Sequence, residues 1–239
     1  MTSGIRALLF DLDGTLIDHE AAAALALAQA LQAIPGLDHR DHARTRVRWK
    51  ELEEQAMVRY LSGQLTFTGQ RRLRVISLAA ELGLGAWDDT QADAWFTGYL
   101  HHYEAAWRTY PDVRPALDAL TEQHTGLRLG VLTNGDADQQ RKKLRSVGLA
   151  DQLTVVIASS EAGAAKPSGR IFQHACTRLH LEPANVAYVG DRLHTDAIAA
   201  THAGSCGIWL NRGNDPAPEG VFTIQTLQAL PALLTELGR

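Results

Sequence analysis

Cysteine is scarce: 239 residues hold only Cys176 and Cys206, too few for a disulfide framework or a thiolate metal site. Long apolar runs are missing as well, since no window reaches the roughly 18 apolar residues that a membrane span requires. The apolar stretch near the N-terminus lacks the basic flank and the length of a secretory signal, and it breaks off at Asp11. Nor is there a concentrated basic stripe. Lys and Arg total 23 against 27 Asp and Glu, for a net charge of −4, so nucleic-acid binding has no electrostatic support. What remains is 45% hydrophobic and 21% charged, ordinary for a globular protein and long enough for one large domain or a core with a smaller companion. The expectation is a cytoplasmic protein, monomeric or homodimeric, with no nucleic-acid or membrane partner.

The most informative segment that is present runs Ile5-Arg6-Ala7-Leu8-Leu9-Phe10-Asp11-Leu12-Asp13-Gly14-Thr15. A short apolar run delivers two carboxylates, one residue apart, to what reads as the end of a buried strand. If the strand continued, its period of two would set Asp11 and Asp13 on the same side. At ~4 Å and an effective dielectric of ~20 the two charges repel by about 4 kcal/mol. A cation or a shared proton relieves such repulsion. A solvated turn at the strand end is the plainer alternative.

From about Asp18 to about Tyr110 the chain reads as helical. Residues 21–34 are rich in Ala, Leu and Gln, and Pro35-Gly36 stops them. Residues 42–61 space Trp49, Leu52, Ala56 and Tyr60 at three- and four-residue steps, the mark of one apolar face. Two further helices are predicted over 69–82 and 90–107. The second carries Trp95, Tyr99, Tyr103 and Trp107 as an aromatic stripe, read as core packing. After Tyr110-Pro111 the texture changes to alternation, with strands at 127–132, 154–158, 186–189 and 207–210 and helices at 114–123, 137–147, 169–179 and 195–203. Such alternation implies a parallel sheet covered by helices on both faces. The fold expected is α/β: a doubly wound, Rossmann-like parallel sheet core (1–16 and 111–239) interrupted by an inserted α-helical domain (17–110).

Reactive residues in such sheets gather where strands end at their carboxyl edge. The first strand ends at Asp11, the second at Thr133-Asn134-Gly135 and a later one at Gly190-Asp191, while Lys166-Pro167 lies in the loop after strand 154–158. Asp11 is the candidate nucleophile, because carboxylates form acyl-phosphate intermediates. Asp13 is the candidate general acid for the leaving oxygen and then the base for attacking water. The Thr133 hydroxyl and a backbone N–H of Asn134 are candidate donors to a phosphoryl oxygen, and Lys166 is suited to neutralise phosphate charge and steady Asp11. Asp191 with Asp11 offers the oxygen ligands that Mg²⁺ takes, with Thr15 and Asp196 expected to orient them. Each residue alone has a plainer reading as loop lysine, turn, helix cap or surface acid. Their order and their common sheet edge favour chemistry.

The combination resembles the haloacid dehalogenase superfamily, most of whose members are Mg²⁺-dependent phosphohydrolases. Its first motif is matched by Asp11-Leu12-Asp13-Gly14-Thr15, its second by Thr133-Asn134-Gly135, its lysine motif by Lys166-Pro167, and its acidic fourth motif by Gly190-Asp191 through Asp196. All four occur in order, and the resemblance covers essentially the whole chain. It implies that Asp11 is phosphorylated and that Asp13 is the acid/base. It implies Mg²⁺ bound by the Asp11 side chain, the Asp13 backbone carbonyl and Asp191. The helical block then corresponds to a cap placed between the first two motifs, which closes over a small phosphorylated substrate such as a sugar phosphate or nucleotide.

Dehalogenases of the superfamily lack an acid two positions after the nucleophile, so Asp13 points to a phosphatase. Phosphotransferases and mutases share the same core and remain open, as does a non-catalytic phospho-ligand binder. Phosphonate-cleaving relatives need a cap lysine, and Lys50, the one lysine of this block, sits in a charged stretch. Asp18, His19 and Glu20 stand where the chain leaves the core and are candidates for substrate contact. Arg71, Arg72 and Arg74 open the third helix and read as a solvated face, with a second anionic group as the alternative.

Overall fold

In a computed structural model that describes residues 4–34 and 42–238, the apolar run before Asp11 forms β1 (Ala7–Phe10), buried along its whole length. Four helices follow: α1 (His19–Gln32), α2 (His42–Leu61), α3 (Phe67–Glu81) and α4 (Asp89–Ala105). The chain then alternates through α5 (Val113–Gln123), β2 (Arg128–Thr133), α6 (Ala137–Ser146), β3 (Val155–Ala158), the single turn α7 (Ser159–Ala162), α8 (Gly169–Leu179) and β4 (Val186–Gly190). A wide-turned π-helix (Leu193–Ile198) runs into α9 (Ala199–His202), and β5 (Cys206–Leu210), β6 (Phe222–Ile224) and α10 (Leu230–Leu237) complete it. Two compact units result, one of Met1–Asp18 with Arg108–Arg239 and one of His19–Trp107. Among the described residues no helix is long and apolar enough to cross a membrane.

The sheet is parallel throughout, in the order β3-β2-β1-β4-β5-β6. Phe10 pairs with Val131 on one side and Val189 on the other, so β1 ends just short of Thr133 and Gly190, where β2 and β4 end. The period of two in β1 divides the core. Leu8 and Phe10 pack with Leu117 and Leu120 of α5, Leu144 of α6 and Leu230 of α10. Ala7 and Leu9 face the other way, with Ile171, Phe172 and Ala175 of α8 and Ala200 of α9. Each fully buried Leu or Phe contributes about 1.5–3 kcal/mol relative to exposure. This is the doubly wound α/β architecture expected. Winding proceeds from β1 outward to β2 and β3, then restarts on the opposite side with β4, β5 and β6. The carboxyl ends of β1 and β4 therefore border the crevice that such sheets use for ligands.

In the helical unit α1 packs on α4, α2 on α3, and α3 on α4. Side-chain caps set where these helices start. Thr66 accepts from the Gly69 N–H at 2.9 Å, and Asp88 and Gln91 form a reciprocal capping box, so α3 and α4 each begin slightly ahead of the predicted positions. The stop expected at Pro35-Gly36 lies outside the described residues. The aromatic stripe is core: Trp95, Tyr99 and Tyr103 stack in succession at 5.9 and 6.0 Å, with Trp49 edge-on to Tyr99 at 5.1 Å. Burial pushes the Tyr99 hydroxyl up to about 12.

Several expectations are corrected. Arg74 is not part of a solvated face but buried, its guanidinium 3.1 Å from Glu53 and 4.4 Å from the centre of the Trp49 ring. One turn before Leu78, it shares the apolar side of α3, and Glu53 offsets its charge. Arg72 does face outward, onto Asp89 and Asp93. Strand β6 and helix α10 are unpredicted, the first because it spans only three residues. The helix after Asp191 begins at Leu193 with a π-turn rather than at 195. The core unit also extends to Asp18 and resumes at Arg108. Ile17 bridges antiparallel to Thr109, and the Asp18 N–H donates to the Arg108 carbonyl at 3.0 Å, which ties both ends of the insertion to the core.

Candidate active site

The carboxyl edge of the sheet brings together Asp11 after β1, Thr133 at the end of β2, Lys166 in the loop before α8, and Asp191 after β4. Lys166 is the organising group. Its Nζ donates to Asp11 Oδ1, to Asp196 Oδ1 and to the Tyr188 hydroxyl, each at 2.7 Å, so all three ammonium hydrogens are used. Tyr188 in turn donates to the Leu132 carbonyl at 3.0 Å. The backbone of Lys166 is clipped by Asn134, whose Oδ1 accepts from the Lys166 N–H at 2.8 Å while its Nδ2 donates to the Lys166 carbonyl at 2.9 Å. The Asn134 side chain thus fixes the lysine loop, a role its place in the second motif does not announce.

Asp191 is held through the first motif. Thr15 Oγ1 donates to Asp191 Oδ1 at 3.1 Å and accepts from the Asp191 N–H at 3.0 Å, while Trp209 Nε1 donates to the Asp191 carbonyl at 2.9 Å. Gly14 adopts a φ of +89°, and a Cβ there would stand 2.6 Å from Asp191 Oδ2. Glycine is what allows this turn to lie against that carboxylate. Asp196 is fully buried and has both oxygens engaged, Oδ1 with Lys166 and Oδ2 with the Arg192 N–H at 2.9 Å. Gly190 permits this, since a Cβ would sit 2.4 Å from the Asp196 carboxyl carbon.

Asp11, Asp191 and Asp196 place carboxylate oxygens within 4.8 Å of one another. Burial, and beyond it the Asp196 and Asp191 charges, raise the Asp11 carboxyl to about 7 against the pull of Lys166. Asp191 is also raised, by burial and by Asp196. For Lys166 burial works against the charge, but Asp11 and Asp196 outweigh it and keep the ammonium above its usual value. Three carboxylates against one lysine leave the cluster short of positive charge. With Asp196 occupied by hydrogen bonds, Asp11 and Asp191 are the hard oxygen donors that a Mg²⁺-like cation fits.

Asp13 departs from expectation. β1 ends at Phe10, and the Gly14 turn, with its N–H donating to the Ile17 carbonyl at 2.9 Å, breaks the period of two. The Asp13 carboxyl therefore leaves the Asp11 cluster and meets α6. Lys143 Nζ donates to its two oxygens at 2.7 and 2.6 Å. Gln140 Nε2 donates to Thr133 Oγ1 at 3.1 Å and lies 3.4 Å from Asp13 Oδ2. The repulsion expected between Asp11 and Asp13 falls instead among Asp11, Asp191 and Asp196. Tyr188, Gln140 and Lys143 are site residues that sequence reasoning missed. Lys143 lies in the polar run Gln139-Gln140-Arg141-Lys142-Lys143, which reads as solvated. The available signal was the three- and four-residue spacing of Ala137, Gln140 and Leu144, which marks one buried face with Lys143 beside it.

Comparisons with known proteins identify the family. The model of haloacid dehalogenase-like hydrolases matches residues 5–204. A glyceraldehyde 3-phosphate phosphatase of Methanopyrus kandleri is 32% identical over 87% of this chain and 85% of its own. A human N-acylneuraminate-9-phosphatase is 26% identical over 98% and 96%. Among solved structures, the HAD-hydrolase YfnB of Bacillus subtilis, bound to magnesium, superposes with a TM-score of 0.81 at 25% identity, covering 97% of this chain and 99% of that one. The chain belongs to the haloacid dehalogenase-like hydrolases, and it is a phosphatase-type enzyme of that family.

Proposed function

We propose that the protein is a Mg²⁺-dependent phosphohydrolase of a small phosphorylated metabolite, working through an aspartyl-phosphate at Asp11. The observation that carries this reading is the buried Asp11 carboxylate at the end of β1, aligned by Lys166 at 2.7 Å and set beside Asp191. Asp11 attacks phosphorus, the bond to the substrate oxygen breaks, and Asp13 delivers the proton that lets this oxygen leave as an alcohol. Water then attacks the acyl phosphate, Asp13 takes its proton, and orthophosphate departs with Asp11 restored. Thr133 and the Asn134 N–H hold phosphoryl oxygens, and Lys166 offsets their charge. Mg²⁺, held by the Asp11 and Asp191 side chains and the Asp13 carbonyl, would neutralise charge on the transferring group. Uncatalysed phosphomonoester hydrolysis is slow enough that enzymes accelerate such reactions by up to ~10²¹, so positioning and charge neutralisation must act together.

The substrates named for the relatives, a triose phosphate and an acylneuraminate phosphate, support a small phosphorylated sugar-like compound. The magnesium in the YfnB structure supports the metal. Scarce cysteine supports a cytoplasmic setting. The test is phosphate release from a panel of small phosphomonoesters, with Mg²⁺ or EDTA, by wild type and Asp11→Asn. Release that needs Mg²⁺ and disappears in the variant is expected. Phosphate moved to an alcohol or sugar acceptor instead of water would make the protein a phosphotransferase, and inert phosphoesters would overturn the reading.

A further inference from the structure

We infer that Lys143, assisted by Gln140, is a positioning residue that sets where the Asp13 carboxyl stands. This rests on the phosphatase reading and extends it to α6. Lys143 is a buried lysine, its side chain 3% exposed against 27% for Asp13, and its ammonium lies almost equally close to the two Asp13 oxygens. A lysine stem buried in this way loses rotamer freedom, and the charge loses water; the carboxylate at 2.6 Å is what offsets both. Gln140 stands one turn earlier on the same side of α6. Its single amide nitrogen reaches Thr133 Oγ1 and lies near Asp13 Oδ2, which links the proposed acid to the proposed phosphate donor.

The local sequence explains how a helix reaches these groups. β2 ends at Thr133, and Asp136 caps α6 by accepting from the Gln139 N–H at 3.0 Å, so the first two turns stand directly beside the strand end. Gly135 lets the turn close, since a Cβ there would lie 2.9 Å from Gln140 Nε2. Leu144, one turn after Gln140 on the same buried face, anchors the helix in the core. The Asp13 carboxyl is thus located by a rigid element rather than by the loop that bears it. Facing the ammonium, Asp13 is a carboxylate. Once one oxygen has taken a proton from solvent while the other stays on Lys143, it serves a leaving group that needs that proton and matters little to one that does not.

The experiment compares kcat on glycerol phosphate, whose alkoxide must be protonated, with kcat on p-nitrophenyl phosphate, whose nitrophenolate leaves unprotonated. Lys143→Met, close in volume but uncharged, is expected to lower kcat on the alkyl ester at least about tenfold more than on the aryl ester, within the range general acid catalysis supplies. In an Asp13→Asn background the same substitution is expected to change neither rate further, because Lys143 acts through Asp13. Equal losses on both esters, or an undiminished effect without Asp13, would overturn the inference while leaving the phosphatase reading intact. If wild type is inactive on both, the comparison is made with an alkyl and an aryl ester from the panel that it hydrolyses. A wild type inactive on the whole panel would overturn the two together. Should Lys143→Met fail to fold, Gln140→Leu carries the same comparison. It is expected to show the same selectivity at smaller size, and a uniform loss there would count against the proposal.

Discussion

Asp11 and Asp13 stand two residues apart, yet the regions that receive them differ in kind. Asp11 enters a buried cluster in which one lysine serves two carboxylates and a tyrosine while a third acid, Asp191, stands nearby. Asp13, itself partly exposed, turns to the buried flank of α6, where Lys143 engages its two oxygens. The first region is short of positive charge, and burial with the neighbouring acids raises the Asp11 carboxyl to about 7 and holds Asp191 above its usual value. The second matches one carboxylate to one ammonium. In the mechanism proposed above, surroundings alone divide two identical side chains into a nucleophile beside the metal and a proton-handling group.

The largest effect should come from Asp11→Asn, which should cut phosphate release by about 10⁴-fold or more, as loss of a nucleophile does. The same variant sharpens the contrast in stability. In the metal-free protein the Asp11 carboxyl, raised from 3.8 to about 7, keeps its proton over a window where the unfolded chain has lost it. Stability therefore falls as pH rises through that window. Melting in EDTA at pH 5 and pH 8 should show this slope in wild type and a flatter one in Asp11→Asn. Asp13→Asn should reduce turnover of alkyl phosphates by about 10²–10⁴-fold.

Lys166→Met breaks the cluster itself. It leaves Asp196 buried without its ammonium and should cost about 3–5 kcal/mol in chemical denaturation, part of which Asp196→Asn in the same chain should restore. Saturating Mg²⁺ should do the reverse: at 100 times its Kd it adds about 2.7 kcal/mol. The melting temperature would then rise by several degrees in wild type and much less in Asp191→Asn. The smallest effect is Tyr188→Phe, which removes one acceptor from Lys166 and one donor to Leu132 and should cost about 1 kcal/mol.

How much of this was legible follows from where the information sits. The strand-end acids and the Thr133 turn announce themselves because each ends an apolar run, Lys166 stands out only by its order among them, and the alternation of elements gives the doubly wound sheet. Tyr188 does not, since within β4 it reads as one more core aromatic and its hydroxyl matters only once Lys166 arrives beneath it. Gln140 and Lys143 are hidden by charged neighbours on the outer face of α6. The direction of Asp13 was unreadable for a different reason: β1 ends at Phe10, so the strand period on which its expected orientation depended does not reach it.

The antiparallel bridge between Ile17 and Thr109, with the Asp18 N–H on the Arg108 carbonyl and the Tyr110 N–H on the Leu16 carbonyl at 3.1 Å, has a consequence for how such a chain can change. To the sheet, everything from His19 to Trp107 is one loop whose ends are already stapled together. The entropy of closing a loop grows only with the logarithm of its length, about 0.6 kcal/mol per doubling. Lengthening or shortening the segment between these ends therefore carries little loop-closure cost for the sheet that bears Asp11, Thr133 and Asp191.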